Sequence, residues 1–280
     1  MSDALHLDLD GAWAGTDLVA DSLDAREWGR KLRFSAPPRL IEDFYREIQP
    51  RLRRFTLFGS GDFHHLSALW IRNVDQPVTV ISFDNHPDWD VRPPKWSCGA
   101  WINRALELSH VRQVNVWGCG NFECWWPRQI FGNRRAERAG RLNVHPWVDH
   151  RAAADENRQG AIRQANWRER FQRRVEELGG QAAYVTVDID CLVANDAVTN
   201  WENGYFSATD VEWALKRIRE NCSLVGGDLC GAYSEPHYAR RKQRFASEMD
   251  HPKLTLPSPE EIRRINFSTL TKLWPALVDL

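Results

Sequence analysis

Acidic residues and a histidine alternate directly after an apolar run in the first third of the chain. Asp84, His86 and Asp88 follow residues 78–81, Val-Thr-Val-Ile, a run that is typical of a buried strand. Because alternate side chains of extended backbone project from the same face, these three groups can converge. Two carboxylates and an imidazole at the end of a strand predict a site for a divalent metal ion.

A second strand-like run also ends in carboxylates. Residues 185–190 read Val-Thr-Val-Asp-Ile-Asp, which places Asp188 and Asp190 at alternate positions. Carboxylates crowded at the tip of a hydrophobic strand repel one another unless a cation lies between them. Two such strands therefore predict a pair of metal ions bridged by carboxylates, and a hydrolase that activates water.

A third segment brings two histidines toward the same region. Residues 58–67, Phe-Gly-Ser-Gly-Asp-Phe-His-His-Leu-Ser, follow another strand-like run, and their glycines suit a tight turn into a helix. The residue types leave both His64 and His65 open as ligands. The two acidic strand tips offer four carboxylates and His86, and one of these two histidines makes a second imidazole, with no cysteine at these strand tips. Such an oxygen-rich set favours manganese over zinc.

Strand-like and helix-like patterns alternate along the chain, which predicts an α/β fold. Apolar runs predict strands at residues 55–59, 78–83, 114–118, 142–147, 183–188 and 223–228. Apolar residues at spacings of three and four predict helices around Ile41, Trp101, Phe171 and Val211. Alternation of this kind predicts a mostly parallel central sheet covered on both faces. In such sheets the active site lies beyond the carboxyl ends of the strands, where Asp84 and Asp188 fall.

Composition excludes several classes of function. The 280 residues carry a formal net charge of −1, which gives no general attraction to nucleic acid or to a membrane surface. The N-terminal residues lack the pattern of a secretory signal, and no apolar run reaches the roughly 20 residues of a membrane span. Six scattered cysteines form no CxxC pair. We therefore expect a reduced, cytoplasmic setting.

The three segments, taken in order, resemble the ureohydrolase superfamily, which includes arginase and agmatinase. That family has G-G-D-H-S, then D-A-H-x-D, then S-x-D-x-D, and residues 61–65, 84–88 and 187–190 are similar to these motifs. The resemblance spans roughly residues 55 to 237. It implies an arginase-like fold, a three-layer α/β/α sandwich with a mostly parallel central sheet, formed by residues 1–280 as a single domain.

The resemblance also implies two Mn²⁺ ions and their ligands. A gap-free match of the downstream helix prefers His64 to His65. One ion would be held by four side chains, His64, Asp84, Asp88 and Asp188. The other would be held by His86, Asp84, Asp188 and Asp190, so that Asp84 and Asp188 bridge the two ions.

By the same resemblance, a metal-bridging hydroxide would cleave the C–N bond of a small guanidino compound and release urea. Glu235 is our choice for the carboxylate that pairs with the guanidinium. Cys98 occupies the place of the family's proton-shuttle histidine, and the loop around Trp201 and Glu202 departs from the family pattern. The substrate therefore need not be arginine or agmatine. Family members are often trimers or hexamers, which makes a homo-oligomer a further expectation.

Two alternative functions stay open at this level. One is a metal-dependent amide deacetylase on the related fold, which would use a single ion. The other is a catalytically inactive metal-binding homologue, which the replacement of the shuttle histidine by Cys98 favours.

Overall fold

Eight parallel strands form one sheet in the computed structural model, which describes residues 3–151, 155 and 157–278. In chain order they are β1 Ala4–Asp8, β2 Ser22–Asp24, β3 Phe55–Phe58, β4 Val78–Phe83, β5 Val111–Trp117, β6 Leu142–His145, β7 Ala182–Asp188 and β8 Ser223–Cys230. Their order across the sheet is β2-β1-β3-β8-β7-β4-β5-β6, and every neighbouring pair is parallel.

Helices cover both faces of this sheet. Nine α-helices lie within the described ranges: α1 Arg26–Leu32, α2 Pro38–Ile48, α3 Ser67–Arg72, α4 Trp101–Leu106, α5 Arg134–Arg138, α6 Trp167–Glu177, α7 Ala208–Asn221, α8 Arg241–Asp250 and α9 Pro259–Val278. One hydrophobic cluster joins the sheet to α2, α3 and α4, and a second joins it to α6, α7 and α9. The predicted three-layer α/β/α fold is confirmed.

The central strands form because their sequences are apolar on both faces. All residues of β3 and β4 are buried, as expected for parallel strands packed between two helical layers. All six predicted strands are present. The N-terminal strands β1 and β2 were not predicted. β2 has only three residues, too few for a periodic signal.

The strands that carry the acidic motifs are neighbours in the sheet. Phe83, the last residue of β4, pairs with Val187 of β7, and Asp188 pairs with Cys230 at the end of β8. Parallel pairing therefore places the first residues beyond β4 and β7 side by side at one edge. A membrane-spanning helix is not found in the part of the chain that the structure describes. The assignment of residues 1–280 to a single domain stays a prediction.

Candidate metal centre

His64 faces three carboxylates. Its Nδ1 lies 3.1 Å from Asp84 Oδ2, 3.3 Å from Asp88 Oδ2 and 3.6 Å from Asp188 Oδ2. All four side chains are almost completely buried. His64, Asp84 and Asp88 have ligand atoms close enough to surround a single cation, and His64 and Asp188 belong to a second such group with Cys230.

His86 forms a second group beside the first. Its Nδ1 lies 2.8 Å from Asp190 Oδ2 and 3.7 Å from Asp84 Oδ1. The two oxygens of Asp84 therefore face different histidines, Oδ2 toward His64 and Oδ1 toward His86. This is the arrangement expected of a carboxylate that bridges two ions. Asp188 contacts the His64 group only, so its predicted bridging role has less geometric support than that of Asp84.

Short backbone contacts hold the carboxylates at the strand ends. The His86 amide donates to Asp84 Oδ1 at 2.7 Å, and the Asp190 amide donates to Asp188 Oδ1 at 3.0 Å. Asp88 has a positive φ of 43°, a conformation that is uncommon for a residue other than glycine. Trp101 Nε1 donates to Asp88 Oδ2 at 2.7 Å and fixes that carboxylate.

A chain of buried hydrogen bonds orients the His64 ring. His64 Nε2 lies 2.9 Å from Thr186 Oγ1, and the Thr186 hydroxyl donates to Asp228 Oδ1 at 2.6 Å. A hydroxyl that donates to Asp228 accepts from Nε2–H, so a neutral His64 presents the lone pair of Nδ1 to the carboxylates. Ser67 and Tyr184 also donate to Asp228, at 3.1 and 2.6 Å. Metal-binding histidines usually have such a partner on their second nitrogen.

The structure places His64, and not His65, among the carboxylates. His65 is fully buried and belongs to none of the groups of potential ligands found in the described residues. Burial is the main cause that lowers the pKa of His65 to about 3. A ring in that environment is neutral at physiological pH.

The crowding of buried acids shifts the pKa values of the cluster so that several of its groups hold protons. Burial, and next the charge of Asp84, raise the pKa of Asp88 to about 8 and that of Asp190 to about 6. Burial lowers the pKa of His64, but the close carboxylates of Asp84 and Asp88 outweigh burial and hold the pKa well above the ordinary value. Asp88, Asp190 and His64 thus hold protons, which balance the negative charge that bound metal ions would otherwise balance. Asp84 Oδ2, although buried, accepts no hydrogen bond of normal geometry from any residue in the described ranges.

Two glycines allow the backbone to approach Asp188 closely. A Cβ atom at Gly61 would lie 2.7 Å from Asp188 Oδ2, and one at Gly231 would lie 2.1 Å from Asp188 Oδ1. Gly231 also has a φ of +110°, which favours glycine strongly. The turns after β3 and β8 therefore close around this carboxylate only because both positions lack a side chain.

Cys230 adds a thiol beside the cluster from a strand that carries none of the three motifs. It ends β8, and its Sγ lies 3.6 Å from Asp188 Oδ2 and within reach of His64. Burial, and next the charge of Asp188, raise the pKa of the Cys230 thiol well above its usual value. The thiol therefore stays protonated and donates to Asp188. The signal in the sequence was a cysteine two residues beyond the strand predicted at residues 223–228.

Cys98 lies on the wall of the cavity that the cluster opens into. This cavity has a volume of about 40 Å³ and is also lined by Asp84, His86, Asp88, Asp188, Asp190 and Trp201. Burial, and next the charges of Asp62 and Asp88, raise the pKa of the Cys98 thiol well above its usual value. The thiol is near enough to the site to take part, but it is protonated at neutral pH. Its role as a proton relay stays a prediction.

Glu235 does not line this cavity. Its exposed carboxylate accepts a hydrogen bond from the Tyr233 hydroxyl at 3.1 Å and lies in a separate groove of about 620 Å³. The chain after β8 is held by Arg33 and Asn200, which donate to Ser234. That anchoring directs Glu235 outward, so its placement gives the predicted pairing with a guanidinium no support.

Glu202, from the loop that departs from the family pattern, approaches the second histidine. Its Oε2 lies 3.5 Å from His86 Nε2, and Asn85 donates to its backbone carbonyl at 2.9 Å. Trp201 packs over the His86 ring at a centroid distance of 5.3 Å. The sequence analysis singled out the loop around Trp201 and Glu202 as a departure from the family pattern. Trp201 lines the cavity, whereas Glu202 contacts the outer nitrogen of a candidate ligand.

Comparison with solved structures finds the same fold in ureohydrolases. Arginase from Medicago truncatula matches 98% of this chain and 85% of its own, with a TM-score of 0.56 and 15% sequence identity. A putative agmatinase from Clostridium difficile matches 99% of this chain and 98% of its own, with a TM-score of 0.55 and 15% identity. Proclavaminate amidino hydrolase from Streptomyces clavuligerus matches 89% of both chains, with a TM-score of 0.54 and 15% identity. The resemblance to the ureohydrolase superfamily is thus confirmed at the level of the fold, which is arginase-like.

Sequence comparison gives a more limited result. A protein from Thermotoga maritima that is described as uncharacterized is 26% identical over 201 residues, which cover 71% of this chain and 66% of that protein. The chain therefore spans just under two thirds of the length of this relative. No protein-family model matches the sequence.

Proposed function

We propose that this protein is a metal-dependent hydrolase of the ureohydrolase type, which cleaves the C–N bond of a guanidino compound and releases urea. The observation that carries the proposal is Asp84, whose two oxygens face two separate histidine–carboxylate groups, His64 Nδ1 at 3.1 Å and His86 Nδ1 at 3.7 Å. A carboxylate shared in this way suits a pair of ions. The fold shared with arginase and with proteins described as agmatinase and amidino hydrolase adds support.

The donors suit two manganese ions. The proposed ligands are His64, Asp84, Asp88 and Asp188 for one ion, and His86, Asp84, Asp188 and Asp190 for the other. Carboxylate oxygens and imidazole nitrogens are a hard set that manganese accepts, and the neighbouring Cys230 thiol is held protonated. When bound, two such ions would lower the pKa of a water molecule and supply Lewis acidity.

The reaction balances without any further reactant. A guanidinium R–NH–C(NH₂)₂⁺ and one water give R–NH₃⁺ and urea, so that both protons of the water end on the leaving amine. The protein's own contribution is to bind the planar cation, to hold its carbon beside the carboxylate cluster and to limit access of bulk water. Trp201 lines the cavity and Trp101 donates to Asp88, and both indole side chains are largely buried beside the cluster.

Metal analysis combined with a urea-release assay over a panel of guanidino compounds tests the proposal. We expect two equivalents of Mn²⁺ and urea from at least one compound, and we expect Asp84→Ala to lose both. Asp17→Ala, an exposed aspartate far from the site in sequence, is the matched control and should keep both. One zinc with release of acetate would instead support a deacetylase. Bound metal with no turnover across the panel would support an inactive homologue.

A cytoplasmic location and a homo-oligomeric state are further proposals from the sequence. Cell fractionation tests the first, and analytical ultracentrifugation of the full chain tests the second.

A further inference from the structure

A surface cavity apart from the candidate metal centre lies between α4, α5 and the chain that follows Asp88. Its volume is about 490 Å³, which is within the range typical of sites for small molecules, and none of the six candidate metal ligands lines it. Two amide contacts join its walls. Asn133 Nδ2 donates to Asn103 Oδ1 at 2.7 Å, and Asn103 Nδ2 donates to the carbonyl of Asp90 at 2.8 Å. The protein itself therefore holds these walls together.

Basic side chains outnumber acidic ones in the lining of this cavity, which we call the basic cavity. The basic residues are Arg92, Lys95, Arg104, Arg135 and Arg141, and the acidic residues are Asp90 and Glu107. Arg92 pairs with Asp90, and Arg104 Nη2 lies 2.7 Å from Glu107 Oε1. The other three basic side chains have no acidic partner among the described residues. The lining therefore carries three positive charges that no carboxylate in the described ranges balances.

Arg141 is held in place by backbone oxygens and not by an acid. Its Nη2 donates to the carbonyl of Leu106 at 3.0 Å and to that of Val111 at 2.9 Å. Carbonyl acceptors fix the position of a guanidinium but do not neutralise its charge. The basic cavity thus has one cation that is already ordered, which lowers the entropic cost of binding an anion.

Arg104 supplies a donor that has no acceptor. Its side chain is 15% exposed, and its Nε is buried without a hydrogen-bond partner among the described residues. A buried donor that makes no hydrogen bond costs free energy, and the cost is larger for a charged group. An anionic oxygen in contact with this guanidinium would recover that cost. The unsatisfied donor favours an anionic ligand independently of the number of charges.

Apolar side chains complete the lining of the basic cavity. They are Val91, Leu106, Ala136 and Ala139. A bare inorganic ion would leave this surface in contact with water, whereas the organic part of a larger anion would cover it. Guanidinium groups match the geometry of phosphate oxygens and can donate two parallel hydrogen bonds to them. The lining therefore suits a phosphate group that is attached to a small organic body.

We propose that the basic cavity binds a small organic phosphate, whose phosphate oxygens accept hydrogen bonds from Arg104, Arg135 and Arg141. Lys95, which is exposed, adds a further positive charge at the rim. The organic part of the ligand lies against Leu106 and the neighbouring apolar side chains. The inference is independent of the proposed function, because the basic cavity contains none of the candidate metal ligands.

Calorimetric titration of the full chain in about 0.15 M KCl tests this assignment. The probes are inorganic phosphate, pyrophosphate, ribose 5-phosphate, AMP and ADP. We expect at least one organic phosphate to bind with a Kd below about 1 mM and at least about tenfold more tightly than pyrophosphate. Arg135→Gln should raise this Kd roughly tenfold to a hundredfold, and Lys95→Gln should raise it at least about threefold.

Arg138→Gln is the matched control. Arg138 is an exposed arginine at the end of the same helix, α5, and it does not line the basic cavity. The variant removes the same charge as Arg135→Gln, so it measures the general attraction of anions to this basic surface. We expect its Kd to stay within about twofold of that of the unaltered protein.

Four outcomes would overturn the assignment. The first is that no probe binds with a Kd below about 1 mM. The second is an equal loss of affinity in Arg138→Gln, which would indicate general electrostatic attraction. The third is that pyrophosphate or phosphate binds as tightly as the organic phosphates, which would indicate an adventitious ion only. The fourth is binding that survives Arg135→Gln but is lost in Asp84→Ala, which would place the phosphate at the candidate metal centre.

Discussion

Replacing Thr186 by valine removes one hydroxyl from the centre of the sheet while keeping the shape of the side chain. Thr186 lies on β7, where its Oγ1 accepts from His64 Nε2 at 2.9 Å and its hydroxyl donates to Asp228 Oδ1 at 2.6 Å. The variant therefore breaks the link that orients the His64 ring. It leaves all six candidate metal ligands in the sequence.

The hydrogen bonds of Thr186 determine how much stability and metal affinity the variant should lose. A hydrogen bond to a buried carboxylate contributes about 1.5–3 kcal/mol, and Asp228 keeps its donors Tyr184 and Ser67, so we expect the free energy of unfolding to fall by about 2 kcal/mol. A histidine ligand that loses its outer partner typically costs tenfold to a hundredfold in metal affinity. We therefore expect the Kd for Mn²⁺ at the His64 group to rise by roughly that factor.

Urea denaturation of the metal-free protein measures the first effect, and calorimetric titration with Mn²⁺ measures the second. Thr79→Val is the matched control, because Thr79 is equally buried on the neighbouring strand β4 and its hydroxyl has no hydrogen-bond partner among the described residues. This control should be neutral or slightly stabilising. Unchanged manganese affinity in Thr186→Val, or an equal loss in Thr79→Val, would refute the view that Thr186 orients a metal ligand.

Three further predictions follow from the charges of the site. Asp84→Asn should weaken both manganese sites, whereas Asp190→Asn should weaken only the site at His86, and metal stoichiometry by mass spectrometry distinguishes a two-site loss from a one-site loss. The pKa of Asp88 in the folded protein is about 8, above the ordinary 3.8. Protonated Asp88 therefore stabilises the metal-free protein at low pH, and this stabilisation is lost as the pH rises from about 4 to about 8. The melting temperature in EDTA should fall over that range and Mn²⁺ should flatten the decline, so an EDTA curve that rises with pH would contradict the assignment. Cys98→Ser should change turnover less than about threefold between pH 6 and 9, because burial raises the pKa of the thiol too far for a relay through thiolate. A large loss of activity, with a shifted pH profile, would instead support the relay role predicted for Cys98 from the sequence.

The sequence by itself determined the parallel sheet and the inner ring of candidate ligands. Apolar runs mark β3, β4 and β7, and the candidate ligands that follow β4 and β7 occupy every second position. The premise of extended backbone holds only in part, because Asp190 lies in a 3₁₀ turn, Ile189–Cys191, and Asp88 has a positive φ. Because neighbouring strands run parallel, their carboxyl ends lie at the same edge of the sheet. No further information is needed to predict that residues at these ends lie close together. Asp84 and Asp188 were therefore predictable as neighbours, although 100 or so residues of chain lie between them.

The tertiary structure alone decided which loop carboxylates face the cavity. Glu123 and Asp250 reach it from a turn after β5 and from the end of α8, whereas Glu235, close to the end of β8, is directed outward by the anchoring of Ser234. The residue types left His64 and His65 open and the match to the family motif preferred His64, whereas the structure places only His64 among the carboxylates and bonds its ring to Thr186. The direction of a loop depends on packing and hydrogen bonds between residues far apart in the chain, and neither periodicity nor spacing encodes such contacts.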